Sequence, residues 1–186
     1  FLKPEITGIL DGQQRLSSIY IALQGTHTEK APYMRWANVN AFKPTSLYLN
    51  LLALPYYIAK NNEIEIYEDR NFEFRFIIEK DANDLISRKI RTHNEDGKET
   101  ERLDIMYWFK VGDILKWAKD PEFDEIIEKF IRDCESEEQV NAIRKNKRFI
   151  RKALDILHKR IVDEPLINYF EVDKTDLEDI LKIFTR

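Results

Sequence analysis

The sequence is poor in several things at once. It has one cysteine, three histidines, five glycines and six prolines in 186 residues. The lone Cys134 excludes an internal disulfide framework and a cysteine-rich zinc module. It lies in Phe130-Ile131-Arg132-Asp133-Cys134-Glu135, where acidic neighbours raise a thiol pKa and argue against a nucleophile. Such usage fits a reducing cytoplasm. His27, His93 and His158 are far apart, and none has a second histidine or cysteine at metal-ligand spacing, so no metal site is expected. Few glycines and prolines exclude a collagen-like or low-complexity chain. No apolar run approaches the ~18 residues of a membrane span, and no cleavable leader is visible. The expectation is a soluble cytoplasmic protein with no membrane partner.

What is present is charge. Charged residues make up 34% of the chain and hydrophobic residues 43%, which predicts a foldable core under a strongly solvated exterior. The net charge of −4 argues against a uniformly basic nucleic-acid binder but leaves room for a local basic surface. The charge is in fact blocked. Residues 120–138 carry nine acidic and two basic groups, and residues 144–160 carry eight basic groups against Asp155 alone. Arg144, Lys145, Lys147, Arg148, Arg151 and Lys152 are therefore candidate DNA contacts along a phosphate backbone. The competing reading is a solvated helix face partly neutralised by the acidic segment before it.

Length suggests one domain, residues 1–186. Phe1-Leu2-Lys3-Pro4 reads as the end of an earlier element, and the final helix stops without a cap signal. Both ends are expected to be cuts in a longer protein. Ile6 to Leu10 reads as a buried strand, and Leu16, Ile19, Tyr20 and Leu23 then recur at helical spacing up to a C-cap at Gly25. Residues 26–44 read as an irregular excursion, Thr45 to Leu52 as a strand, and 53–71 as a connection. Phe72 to Ile78 reads as a strand with one buried face, and Leu85 to Phe109 as a charged hairpin turning at Asn94-Glu95-Asp96-Gly97. A helical subregion, 113–163, follows. In it Gly112 and Asp113 open a short helix, Pro121 starts a second, and Ser136 caps a long third one running to Pro165 with Val140, Ile143, Ile150, Leu154, Leu157 and Ile161 inward. Leu166 to Val172 reads as a strand, with a last helix capped by Thr175 or Asp176.

The stretch richest in chemistry is Asp11-Gly12-Gln13-Gln14-Arg15, a tight turn between strand and helix. A helix N-terminus has about four unpaired N–H groups and a partial positive charge, which suits an anion. Gly12 permits close backbone approach. Gln13 and Gln14 offer amide donors and acceptors, and Arg15 a planar fork for phosphate. Asp11 with Gln14 also makes a capping box, which accounts for those two residues without any ligand. It does not account for Arg15, because a cation in the first turn opposes the helix dipole by ~0.3–1 kcal/mol.

The run Ile9-Leu10-Asp11-Gly12-Gln13-Gln14-Arg15-Leu16-Ser17-Ser18-Ile19-Tyr20 resembles the hallmark of the DGQQR-motif family. This prokaryotic group includes the N-terminal domain of GmrSD-type modification-dependent restriction enzymes and is similar to the ParB/sulfiredoxin superfamily. Tyr169-Phe170-Glu171-Val172 and Leu177 to Arg186 resemble the family's strand and helix leading to an F-x-R-x-N motif, and Tyr107 to Leu115 is a weaker landmark. The resemblance implies an α+β fold, a ParB/sulfiredoxin-like mixed sheet core with a large helical insertion. It implies GTP, ATP or CTP with Mg²⁺ as ligand, DNA (modified phage DNA included) as partner, and a nuclease domain in cis or in a partner subunit. On that reading Asp11, Gln13, Gln14 and Arg15 are catalytic, and Gly12, Arg15 and Arg186 hold phosphate. The alternative is a non-catalytic ParB-like DNA-binding module using the same turn for backbone phosphates. A sulfiredoxin-type repair role is disfavoured, since that phosphate turn carries a cysteine.

Overall fold

The computed structural model describes residues 12–30, 33–38, 41–53, 57–60, 63–66, 72–93 and 99–165. The readings at Ile6–Asp11, at the Asn94–Gly97 turn and from Leu166 to Arg186 lie outside the described residues.

Helix α1 (Gln13–Leu23) leads into β1 (His27–Lys30) and the long β2 (Phe42–Asn50). A separate hairpin, β3 (Tyr57–Lys60) with β4 (Glu63–Ile66), follows, then β5 (Phe74–Ile77) and the one-turn α2 (Glu79–Ala82). A second hairpin pairs β6 (Ser87–His93) with β7 (Glu99–Ile105). Strand β8 (Trp108–Lys110) and a 3₁₀ helix (Val111–Lys116) lead to α3 (Phe123–Asp133), α4 (Glu137–Lys145), α5 (Lys147–His158) and a π turn, Lys159–Asp163. The mixture of helix and sheet is as expected for an α+β chain, and every described strand pairing is antiparallel.

Strand β2 is the spine. Its first half pairs with β1 (Thr45 opposite His27), and its second half with β5 (Leu47 opposite Phe76) and β8 (Leu49 opposite Phe109). Alternation then sends side chains to two sides. Leu49 and Phe109 join Leu51, Val111 and Ile114 in a core with Ile127, Ile131, Ile143, Ile150 and Leu154 of the helices. Tyr48, Ile77 and Trp108 join Ala82 and Met106 in a second, smaller core.

Several expectations need correction. The excursion at 26–44 contains β1 and the start of β2, and the connection at 53–71 contains the β3–β4 hairpin. Their turn residues hid short strands whose stability comes from partners, not from local pattern. On β5 the buried residue is Ile77, while Phe72, Phe74 and Phe76 on the other face stay half-exposed. The long third helix is two helices, broken at Asn146. Its Nδ2 donates to the Ala142 carbonyl at 2.8 Å, the side-chain-to-backbone competition that makes Asn a poor interior helix residue. The Ser136 cap is present, its Oγ accepting from the Gln139 N–H at 3.3 Å.

Candidate functional site

Helix α1 begins one residue later than a cap at Asp11 requires. Its N-cap is Gly12, in the left-handed region at φ 78° and ψ 12°. A residue with a Cβ is strained there, which is the reason for glycine. The Leu16 N–H donates to the Gly12 carbonyl at 3.0 Å, closing the first turn. Glycine brings no capping side chain, and the first turn holds no acidic residue. The dipole at this end is thus left without a carboxylate from the described residues.

Arg15 curls back over this glycine. Its Nη2 and Nε lie 3.6 and 3.8 Å from where a Gly12 Cβ would stand. Among the described residues no carboxylate pairs with Arg15. Gln13, Gln14 and Arg15 are all exposed. The structure therefore brings Gly12 and Arg15 together at one solvent-facing helix end, with both glutamines beside them. Asp11 and Arg186 lie outside the described residues.

What holds α1 in place is a different glycine. A Cβ on Gly112 would overlap the carbonyl oxygen of Leu23, so only glycine lets the 3₁₀ helix reach the end of α1. Gly25 also serves by lacking bulk: a Cβ there would meet the Tyr20 ring at 2.9 Å. It does not adopt the left-handed conformation expected of a C-cap; among the described glycines only Gly12 has positive φ. No residue of α1 is fully buried, and Tyr20 is 60% exposed. Of the apolar stripe of α1, Leu16, Ile19 and Leu23 are partly buried and Tyr20 is left exposed.

The basic candidates divide into two groups. Lys147 pairs with Glu128 at 2.9 Å and Asp124 at 3.5 Å, and Arg151 pairs with Asp124 at 2.9 Å. The acidic helix α3 thus neutralises part of the α5 face. Arg144, Lys145, Arg148 and Lys152 are exposed and make no ion pair among the described residues. Arg148 and Lys152 line a groove of about 550 Å³ that also includes Lys119, Phe123 and His158.

A family model for the GmrSD restriction endonuclease, N-terminal domain, matches residues 3–186. The chain belongs to that family. No curated protein matches the chain significantly. The GmrSD assignment sets the domain in restriction-linked DNA cleavage and agrees with the resemblance carried by residues 9–20.

A four-residue structural cluster of this GmrSD-type domain, Arg88, Glu73, Asp104 and Asn50, escaped sequence reading. Arg88 binds both oxygens of Glu73, at 2.6 and 3.0 Å, and its Nε donates to Asp104 at 2.8 Å. Asn50 adds a bond to Glu73 at 3.0 Å. Burial pushes the Glu73 carboxyl up, but the Arg88 and Asn50 hydrogen bonds and the Arg88 charge outweigh it and hold the group below its usual range. Only the tertiary approach of the β6–β7 hairpin to the end of β2 and the residue before β5 assembles this cluster, so no sequence signal pointed to it. The reading of Cys134 stands: burial, then Asp133, pushes its thiol up. Among the described residues no group of three His, Cys, Asp or Glu side chains is placed to hold a metal, and no helix is long and apolar enough to cross a membrane.

Proposed function

We propose that the chain is a nucleotide-binding and nucleotide-hydrolysing regulatory domain of a phage-defence restriction protein, built on a ParB/sulfiredoxin-like core. Its phosphate site is the turn Asp11–Arg15. The observation that carries this reading is the pairing of a left-handed Gly12 with the Arg15 guanidinium folded over it. A helix N-terminus carries a partial positive charge and N–H groups that suit a phosphate, and a planar cation beside it matches two phosphate oxygens.

The roles follow from the chemistry of each group. Gly12 and the following backbone hold phosphate. Arg15 offsets charge that develops on the transferred phosphoryl group. Gln13 and Gln14 orient a phosphate oxygen or the attacking water, and Arg186 supplies a second cation. Mg²⁺ in nucleotide sites keeps several waters and takes one or two protein ligands, so it requires no three-residue cage. Asp11, the carboxylate next to Gly12 in sequence, is suited to it. The nuclease that cuts DNA resides in another domain or a partner subunit.

Calorimetric titration of GTP, ATP and CTP with Mg²⁺ tests the reading, with release of inorganic phosphate as the readout of hydrolysis. One nucleotide should bind, and Arg15→Ala should weaken it by at least tenfold. Unchanged affinity in a well-folded Arg15→Ala protein would remove the turn from the site.

Arg144, Lys145, Arg148 and Lys152, which make no ion pair among the described residues, favour a second reading, a ParB-like DNA-binding module without catalysis. Salt separates the two. Backbone binding falls steeply with ionic strength, whereas a compact nucleotide site responds weakly.

A further inference from the structure

The connection from β1 to β2 has no role in the readings above. It carries Tyr33, Met34, Arg35 and Trp36. Tyr33 is wholly exposed and has a φ of 65°, the one positive φ outside glycine among the described residues. Trp36 is 76% exposed and Met34 is 39% exposed. Large aromatic side chains are ordinarily sheltered, and a left-handed tyrosine is uncommon and strained. Two aromatic rings facing water within four residues call for a surface that covers them.

The base of this loop is organised. Lys30 donates to the Met34 carbonyl at 2.7 Å, and its Nζ sits 5.7 Å from the Trp36 ring centre. The Trp36 ring also packs on Phe42, with centroids 5.6 Å apart. The indole is therefore held in position while most of it faces solvent. Arg35 is exposed and makes no ion pair among the described residues. The wider charge pattern agrees. In a chain of net charge −4, no acidic residue occurs from Lys30 to Asn62, whereas Lys30, Arg35, Lys43 and Lys60 fall within that stretch.

We propose that this loop is a nucleobase-stacking contact for DNA with unpaired bases. Tyr33 and Trp36 stack on bases, and Arg35 meets a flanking phosphate. Flat rings supply sequence-tolerant stacking, and a cation beside them supplies the backbone contact. The charge complementarity favours a polyanion over a neutral protein partner. The proposal rests on the reading of the domain as one that meets DNA. It is independent of the nucleotide turn.

The test uses the whole chain and the fluorescence of Trp36, which Trp36→Phe assigns, because Trp108 is buried and Trp117 partly so. Four probes are compared: a short oligothymidylate strand, an abasic strand of equal length, duplex DNA, and phosphatidylserine vesicles. Oligothymidylate should quench Trp36. Tyr33→Ala and Trp36→Ala should each weaken binding about tenfold, and Trp36→Phe should retain most of it. Tyr33→Ala serves as the control against misfolding, since that side chain is wholly exposed. Equal binding and quenching by the abasic strand would overturn stacking. Quenching by vesicles alone would overturn the nucleic-acid assignment. If oligothymidylate binds with Trp36 emission unchanged, or fails to bind where duplex DNA binds, only this proposal falls; if neither strand form binds, the DNA reading falls with it.

Discussion

Gly112 abuts the carbonyl of Leu23 so closely that the 3₁₀ helix and the end of α1 share the space a side chain would need. This contact anchors a helix that has no fully buried residue of its own. The N-terminus of α1, with Gly12 and Arg15, therefore takes its position from a glycine roughly a hundred residues away in sequence. Gly112→Ala should destabilise the protein by about 1–3 kcal/mol, as overpacking does. Urea unfolding measures it. The same variant should lower nucleotide affinity, though Gly112 touches no part of the turn.

Arg88 joins two carboxylates, and one of them, Asp104, is only 6% exposed. Arg88→Ala leaves Asp104 without its ion-pair partner among the described residues and Glu73 with only the longer Arg75 pair at 3.4 Å and the Asn50 bond. The expected cost is about 2–3 kcal/mol, below the ~3–5 of a fully buried pair because Arg88 is 38% exposed. The pH dependence has a definite sign. The folded-state pKa of Glu73 is held below its unfolded value, so its contribution is complete above the unfolded pKa. It is lost as pH falls from about 4.5 through the folded value. Arg88→Ala should flatten this acid limb in denaturation curves taken between neutral pH and about pH 3.

The α3 carboxylates restrain part of the α5 basic face. Asp124→Ala and Glu128→Ala together should release Lys147 and Arg151. If α5 meets a phosphate backbone, duplex DNA should then bind more tightly. The plot of log K against log salt should steepen by about 0.9 for each added phosphate contact. An unchanged slope would assign the basic block to a solvated helix face.

His158 is 3% exposed, and its Nε2 has no hydrogen-bond partner among the described residues. The ring stacks on Trp117 at 6.3 Å and meets Phe123 edge-on at 6.2 Å. An unsatisfied buried polar atom costs about 1–3 kcal/mol. His158→Phe should therefore be neutral or stabilising by up to about 1 kcal/mol in thermal unfolding. A large loss of stability would show that Nε2 is satisfied in solution and that the imidazole is required.

Local chemistry was legible from residues alone. Ser136 caps α4 because its hydroxyl reaches an N–H three residues on, and the alternating charged run gave the β6–β7 hairpin. Asp11 to Arg15 stood out because a glycine, two amides and a misplaced cation meet at one helix start. The break at Asn146 was less visible: apolar spacing continues through it, and what marks it is the φ of −105° and ψ of 14° at Asn146 with its amide–carbonyl bond to Ala142.

Other features depend on partners distant in the chain. The Arg88–Glu73–Asp104 cluster needs the β6–β7 register that sets Arg88 opposite Asp104, and Glu73, just before β5, brought against it. The exposure of Tyr33 and Trp36 follows from where the β1–β2 connection leaves the sheet, which composition does not state. The helix-start chemistry and the blocked charge are properties of short segments, and family membership is a match along residues 3–186; the order of residues sets all three. Which cations remain unpaired, which glycine admits a neighbouring backbone and which aromatics face water depend on packing. Those outcomes are sums over contacts between segments far apart in sequence, so folding alone decides them.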